Sequence, residues 1–223
     1  MEQIVYLRNA TIDRGNEAVL TGINLSMSKS EFVYLVGRTG SGKSSLLKTL
    51  WGELPLLQGT GKIANFDLTK LSRKDVSVLR RKIGIVFQDF HLFEEWTLHD
   101  NLLFVLEATG WNDRAQMEAR IAQVLHDVQL TKHIDKRSNQ LSGGEQQRLV
   151  IARAILNTPE IILADEPTGN LDPQTSVEIL HLLRDLAVRY NTAILMATHD
   201  QSILAKFPGR VYLCEEGRLQ EIE

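Results

Sequence analysis

The stretch GRTGSGKS at residues 37–44 constrains the fold of this chain more than any other segment. It follows the apolar run FVYLV at 32–36, and the amphipathic run from Ser44 to Trp51 comes after it. An apolar strand, a glycine-rich turn and a helix in this order are typical of a phosphate-binding loop, in which glycines let backbone N–H groups surround phosphate oxygens. We therefore expect Lys43 to reach the β- and γ-phosphates and the Ser44 hydroxyl to ligate Mg²⁺.

Short apolar runs recur along the chain and alternate with helical patterns. The runs IGIVF (83–87), IILAD (161–165) and AILMAT (193–198) are apolar on both faces, as buried strands of a parallel sheet are. The segments IVYLRNATI (4–12) and RVYLCEEGRLQEI (210–222) are expected to form antiparallel strands, the second as a hairpin. The pattern predicts an α/β fold with a mostly parallel sheet and an antiparallel β subdomain.

Residues 89–155 show long helical patterns and no convincing strand, which predicts a helical insert. We expect one domain over 1–223, in which 1–88 and 156–223 form the core and 89–155 the helical subdomain. The net charge of −3 argues against a dedicated nucleic-acid binder. The N-terminus lacks a secretory pattern, and apolar runs of about five residues fall far below the roughly 18 that span a bilayer. We therefore expect a cytoplasmic chain without direct membrane insertion.

Polar side chains follow three of the predicted parallel strands. Asp165 closes one strand, where Mg²⁺ beside Ser44 would compensate its burial, and Glu166 follows, placed to polarise an attacking water. Gln88 and His199 end two further strands, and ligands bind beyond the carboxyl ends of parallel strands. We predict Glu166, His199 and Gln88 as catalytic residues, and Ser44, Gln88 and Asp165 as metal ligands.

A second glycine pair lies in LSGGEQQR at 141–148, where another helix is expected to begin. Ser142, Gly143 and Gly144 there offer a hydroxyl, accessible backbone N–H groups and a helix dipole to an anion. The histidines at positions 91, 99, 126, 133 and 181 follow no predicted strand of this kind, and we interpret them as bystanders.

With its motifs in this order, the chain resembles the ATP-binding-cassette (ABC) family of ATPases over essentially its whole length. GRTGSGKS is similar to the Walker A motif, and ILADE at 162–166 to Walker B with its catalytic glutamate. LSGGE at 141–145 is similar to the signature motif, and GNLD at 169–172 to the D-loop. Gln88 and His199 correspond to the Q-loop and the switch histidine. The resemblance implies the P-loop NTPase fold, ATP and Mg²⁺ as ligands, and ATP hydrolysis.

The resemblance also implies how the two glycine motifs bind one nucleotide together. In ABC ATPases two cassettes pair head to tail, and each signature motif covers the nucleotide held by the other cassette's P-loop. The ATP-binding residues expected on this basis are Gly37, Arg38, Thr39, Gly40, Ser41, Gly42, Lys43, Ser44, Ser45 and Arg14. The expected contacts to ATP in trans are Ser142, Gly143, Gly144 and Glu145, and the expected dimer contacts are Asn170, Leu171 and Asp172.

Within the family, LADEPTGNLD (163–172) and LMATHD (195–200) resemble the branch of bacterial cell-division ATPases. That resemblance implies a homodimeric motor subunit, held at the inner face of the cell membrane by an integral membrane permease that controls peptidoglycan hydrolysis. Lipoprotein-releasing and macrolide-export ATPases are similar in sequence, so the alternative that the chain is the ATPase subunit of such an exporter stays open. An ATP-gated scaffold with little turnover is the alternative of another class.

The sequence leaves three features open. The family usually has an aromatic residue stacking on adenine before the P-loop, and ATIDRGNEAVL (10–20) has none, which leaves the guanidinium plane of Arg14 as the candidate. The aromatic residues Phe90, Phe93 and Trp96 begin the helical insert, where they are either anchors for a partner or part of the subdomain's own core. The basic segment 69–82 is either a contact surface or a solvated helix face.

Overall fold

The computed structural model of the chain describes residues 2–15, 17–200 and 202–222. The strands within these ranges are β1 (Gln3–Arg14), β2 (Glu17–Ser28), β3 (Phe32–Val36), β4 (Gln58–Ile63), β5 (Phe66–Asp67), β6 (Ile83–Val86), β7 (Ile161–Asp165), β8 (Ala193–Thr198), β9 (Arg210–Glu215) and β10 (Arg218–Ile222). The α-helices are α1 (Lys43–Leu50), α2 (Arg73–Lys82), α3 (Leu98–Ala108), α4 (Arg114–Asp127), α5 (Gly143–Ile155), α6 (Pro173–Tyr190) and α7 (Ser202–Lys206).

The central sheet has the strand order β10-β9-β3-β8-β7-β6, and all neighbours are parallel except the edge strand β10. Alternate residues of its inner strands enter two different cores: Val33 and Leu35 face one, and Tyr34 and Val36 face the other. A sheet covered on both faces needs strands that are apolar on both faces, which is why these strands read as continuous apolar runs. The predicted α/β fold class is confirmed.

The antiparallel sheet has the order β2-β1-β4-β5 and shares one core with α1 and one face of the central sheet. The predicted C-terminal hairpin is present, and Glu216 and Gly217 turn it with φ angles of 48° and 72°. Strand β9 differs from the expectation in one respect, because it also pairs in parallel with β3 and so belongs to the central sheet.

Helices α3, α4 and α5 pack on the opposite face of the central sheet. The segment 89–155 contains no strand, and its one β contact is the single bridge between Thr97 and Arg137. Thr97, Asp113 and Ser142 cap these helices, each through a side-chain oxygen that accepts a backbone N–H three residues on. These caps therefore fix where the three helices begin.

The carboxyl ends of β3, β6, β7 and β8 lie at one edge of the central sheet because these strands are parallel. Gly37, Gln88, Glu166 and His199 follow these strands at that edge. Sheet topology thus gathers segments that are more than 150 residues apart in the chain, as 37 and 199 are.

Gly37 leaves the central sheet at a point where the backbone has no room for a side chain. Its φ is 155°, and an added Cβ would lie 2.4 Å from the carbonyl oxygen of Cys214. Gly40 has a φ of 83° with nothing within 4 Å of an added Cβ. We expect Gly37→Ala to lower the free energy of unfolding by about 3 kcal/mol, because steric overlap adds to backbone strain.

Gly40→Ala is the matched control, with an expected loss of about 1 kcal/mol from backbone strain alone. Urea unfolding followed by circular dichroism measures both. Equal losses in the two variants would contradict the steric account.

Candidate functional site

Lys43 begins α1, and its side chain turns back into the loop that precedes it. The ammonium Nζ donates to the carbonyl oxygens of Gly37 at 2.8 Å and Arg38 at 3.1 Å, and it lies 3.6 Å from Glu166 Oε1. Only 5% of the side chain is exposed. A buried cation needs compensation, and the described residues provide it through loop carbonyls and one carboxylate. The arrangement favours an anionic ligand at the same point.

Glu166 lies one residue beyond β7 and has a left-handed backbone, with a φ of 49°. Its N–H donates to the carbonyl oxygen of Ala197 at 3.0 Å, which ties this strained turn to β8. The carboxylate then lies between Lys43 and His199: Oε2 accepts the His199 backbone N–H at 3.2 Å and is 2.9 Å from Nδ1. Non-glycine residues keep such backbone strain only where the surrounding structure enforces it, and such residues are concentrated at functional sites.

Asp165, the last residue of β7, accepts a hydrogen bond from the Ser44 hydroxyl at 3.1 Å. Burial raises the pKa of the Asp165 carboxyl, and the Ser44 hydrogen bond partly opposes that effect. The Gln88 side chain lines the same cleft as Ser44. A hydroxyl, a carboxylate and an amide oxygen form the all-oxygen donor set that Mg²⁺ prefers, so the residues fit this ion.

A cleft of about 270 Å³ lies between the glycine-rich loop and the antiparallel sheet. Its walls contain most of the residues that the sequence assigns to ATP and catalysis, namely Arg14, Thr39, Gly40, Gly42, Lys43, Ser44, Ser45, Gln88, Glu166 and His199. Gly37 and Arg38 contribute the carbonyls that hold Lys43, and Ser41 Oγ is buried without a hydrogen-bond partner among the described residues. Val19 of β2 also lines the cleft. Sequence reasoning missed it because nothing distinguishes it from any other strand valine.

Glu166 and His199 also line a second cavity of about 620 Å³, on the side of α6 and α7. Its other walls include Leu180, Ile203 and Phe207, and it contains no residue of the glycine-rich loop. The hydrogen-bonded pair therefore forms the wall between the two cavities. The larger cavity is not the phosphate site, because the glycine-rich loop and Lys43 line only the smaller cleft.

Ser142, Gly143, Gly144 and Glu145 lie outside this cleft. Ser142 caps α5 in a capping box, in which Glu145 Oε2 accepts the Ser142 backbone N–H and the Ser142 hydroxyl, both at 2.8 Å. The backbone hydrogen bond from Ser142 is the main reason why the pKa of the Glu145 carboxyl is lowered. Within one chain, the structure does not bring the two glycine motifs together.

Comparison with known proteins agrees with this geometry. The sequence model of the family described as ABC transporter matches residues 20–169 of the chain. The chain belongs to the ABC transporter ATPase family. It therefore binds ATP, and its enzymatic activity is that of an ABC-type ATPase, as the order of its motifs predicted.

Relatives cover nearly the whole of this ABC ATPase. It is 43% identical over 207 residues to the cell division ATP-binding protein FtsE of Streptococcus pneumoniae, which covers 93% of this chain and 89% of that protein. It is 42% identical over 198 residues to FtsE of Bacillus subtilis, covering 89% of this chain and 86% of the relative.

Solved structures of ABC cassettes superpose closely on this ABC ATPase. The cbiO1 protein of Clostridium perfringens, part of the ABC transporter complex cbiONQ, gives a TM-score of 0.91 at 28% identity, covering 99% of this chain and 88% of that one. A dimeric ATP-binding cassette in a post-hydrolysis state, bound to ADP and Pi, gives 0.85 at 33% identity, with 98% of both chains covered.

Residues 169–172 of this ABC ATPase bond to the Gln88 segment and lead into α6. Asn170 Nδ2 donates to the Gln88 carbonyl oxygen at 3.0 Å, and Asp172 caps α6 by accepting the N–H groups of Gln174 and Thr175. Thr175 also faces the signature motif, since a Cβ added to Gly144 would lie 2.6 Å from Thr175 Cγ2. Position 144 therefore needs a glycine because α5 packs closely on α6 there. No pattern in the sequence indicated this contact.

An exposed aromatic cluster lies at the start of the helical segment. Phe93 and Trp96 stack with their ring centroids 4.3 Å apart, and Phe104 packs edge-on against both. These side chains are 42%, 41% and 44% exposed, respectively. Phe90 is not part of this exposed cluster: it packs against the core, the second of the two alternatives, and its carbonyl oxygen accepts from Arg153 at 2.9 Å.

The close approach of Gly144 to Thr175 can be tested by rescue. We expect Gly144→Ala to slow ATP turnover about tenfold or more, because the new methyl group pushes the signature helix away from α6. Thr175→Ser removes Cγ2 and keeps the hydroxyl that bonds Asp172, so the double variant is expected to recover most of the turnover. Steady-state phosphate release measures all three, and a double variant as slow as Gly144→Ala would contradict the packing explanation.

Proposed function

We propose that this chain is the ATP-hydrolysing subunit of a bacterial cell-division complex, in which it works with an FtsX-like integral membrane permease that controls peptidoglycan hydrolysis. Relatives named FtsE support this, at 43% identity in Streptococcus pneumoniae and 40% in Escherichia coli. No helix of the described residues is long and apolar enough to cross a membrane. We place the chain at the cytoplasmic face of the membrane, held there by its partner.

The contact of Glu166 with both Lys43 and His199 carries the catalytic part of the proposal. When ATP binds, its phosphates replace the loop carbonyls and Glu166 as partners of the Lys43 ammonium. Glu166, still oriented by His199, then accepts a proton from the water that attacks the γ-phosphorus. The bond from that phosphorus to the bridging oxygen breaks, which gives ADP and phosphate. Bound Mg²⁺, held by Ser44, Asp165 and Gln88, would neutralise charge on the β- and γ-phosphate oxygens.

The proposed unit of activity is a head-to-tail homodimer. The cleft of one chain, at about 270 Å³, is smaller than the roughly 300–1,000 Å³ usual for ligand pockets. In the dimer, Ser142, Gly143, Gly144 and Glu145 of one subunit would close the nucleotide site of the other. Asn170, Leu171 and Asp172 lie between these two motifs and would contact the second subunit. The dimeric cassette bound to ADP and Pi supports this arrangement.

The exposed cluster of Phe93, Trp96 and Phe104 is our proposed docking surface for the permease. Buried polar side chains hold its backbone: Asn101 accepts the Phe93 N–H at 2.9 Å and donates to the Phe93 carbonyl at 3.1 Å. Ser138 Oγ also donates to the Phe93 carbonyl at 2.9 Å, and Ser138 is only four residues before Ser142. A partner that shifts this surface would therefore move the loop that leads into the signature motif.

Two narrower assignments complete the proposal. The helical signature subdomain would comprise 89–155, and the core would comprise 1–88 and 156–223, so that the docking surface and the signature motif move as one unit. Arg14 lines the cleft beside the P-loop. We assign the adenine-stacking role to its guanidinium group, since a planar cation can stack on an aromatic ring.

Replacing the proposed base tests the catalytic assignment. Glu166→Gln keeps the shape of the side chain and removes its ability to accept a proton. We expect turnover to fall by roughly 10²–10⁴-fold, with ATP binding retained and an ATP-bound dimer accumulating. Phosphate release and size-exclusion chromatography with ATP measure the two effects.

Gly143→Asp is the companion variant for the dimer. It should also lose turnover and keep nucleotide binding to the monomer, but it should form no ATP-bound dimer, because a carboxylate would face the γ-phosphate. Parental turnover in Glu166→Gln would refute the base assignment. Loss of nucleotide binding by the Gly143→Asp monomer would refute contact in trans.

The docking surface is tested by removing its aromatic side chains. We expect the Trp96→Ser and Phe104→Ser pair to weaken binding to a co-expressed, detergent-solubilised FtsX-like permease by about thirtyfold, as loss of interface anchors does. Val188→Ser is the control, since Val188 is 84% exposed and lies outside this surface. If the double variant bound the permease as tightly as Val188→Ser, the assignment would be contradicted. Thermal unfolding checks that both proteins are folded.

A further inference from the structure

The signature serine already uses its hydrogen-bond donors within its own chain. Its hydroxyl and its backbone N–H both donate to Glu145 Oε2, each at 2.8 Å. A serine hydroxyl has one proton to donate. If Ser142 is to bind the γ-phosphate held by a second subunit, its hydroxyl has to leave Glu145.

Glu145 is also an anion at the place where a second anion would arrive. The hydrogen bonds from Ser142 lower the pKa of its carboxyl, so the side chain is ionised at neutral pH. It occupies the first turn of α5, where the helix dipole favours one negative charge. A phosphate approaching the same N–H groups meets the repulsion of this carboxylate unless the carboxylate turns away.

His133 lies on the other side of the same carboxylate. Its Nε2 is 3.3 Å from Glu145 Oε1, and its Nδ1 is buried without a hydrogen-bond partner among the described residues. The positive charge of Lys136 also helps to lower the pKa of the Glu145 carboxyl. His133 belongs to the short turn Thr131–His133 before the signature motif, which brings its side chain to Glu145.

We propose that Glu145 competes with the γ-phosphate of the second subunit's ATP for Ser142, and that His133 is the positioning residue that receives the Glu145 carboxylate when the phosphate arrives. This inference rests on the proposed head-to-tail dimer. It assigns to the pair of His133 and Glu145 the control of how readily ATP closes the dimer.

The test measures the ATP concentration that half-saturates dimerisation, in a Glu166→Gln background that prevents hydrolysis, by analytical ultracentrifugation. We expect His133→Leu to raise this concentration about tenfold, because Glu145 loses its alternative contact. His133→Gln keeps an N–H donor and should restore nearly the parental value. Glu145→Gln should lower it about threefold, since a neutral amide repels no phosphate.

The double variant His133→Leu with Glu145→Gln separates positioning from structural damage. We expect it to match Glu145→Gln alone. Once the Glu145 carboxylate is gone, replacing His133 should have no further effect. His99→Leu is the matched control: His99 also contacts a carboxylate, at 2.8 Å from Glu118, but in the contact between α3 and α4. It should leave the half-saturating concentration unchanged.

The outcomes distinguish this inference from the proposed function. If ATP drives no dimerisation of the background protein, the composite site fails and this inference fails with it. If dimerisation occurs but His133→Leu has no effect, or has the same effect with and without Glu145, the positioning role alone is refuted. Nucleotide binding to dilute monomer should be equal in all variants.

Discussion

Lys43 carries a positive charge into a position where only 5% of its side chain reaches solvent. The described residues compensate that charge with two loop carbonyls and the Glu166 carboxylate, and the rest of the site is arranged around this need. Glu166 reaches Lys43 because its backbone takes a left-handed turn after β7, and His199 then holds the carboxylate from the other side. In the proposed mechanism, an incoming phosphate replaces Glu166 as the partner of the ammonium and leaves Glu166 to act on water.

Helix α5 connects the signature motif at its start to the segment after Gln88 near its end. Its 13 residues, Gly143–Ile155, span about 20 Å. The signature serine caps its first turn, and Arg153 in its last turn holds the backbone of Phe90 just beyond Gln88. Ser138 attaches the proposed docking surface to the loop before the same helix, and Asn101 attaches it to α3. Helix α5 and the loop before it therefore connect the Gln88 segment, the proposed docking surface and the proposed dimer interface.

Much of this arrangement could be predicted from the sequence, because local patterns carry it. Strand runs apolar on both faces, a glycine-rich loop and capping residues such as Ser142 specify the central sheet and its helices through neighbouring residues. Contacts between distant segments carry no such signal. Gly144 is needed because a Thr175 methyl group packs on it, and Glu145 meets His133 across a turn.

The aromatic cluster shows the same limit at closer range. Phe90, Phe93 and Trp96 are neighbours in sequence, but the path of the loop turns Phe90 toward the core. Phe104 joins the other two rings from one turn and a half along α3. Side-chain direction in a loop depends on its long-range hydrogen bonds, here those of Asn101 and Ser138, which local patterns do not encode.

In the proposed dimer, one chain's signature motif completes the other chain's P-loop. Lys43→Ala removes a working P-loop and keeps the signature motif, while Gly143→Asp does the reverse, so each variant alone should be inactive. Mixing equal amounts should restore up to roughly a quarter of parental ATP turnover, because half of randomly formed dimers then hold one intact site of two. A mixture no more active than either variant alone would contradict the composite site.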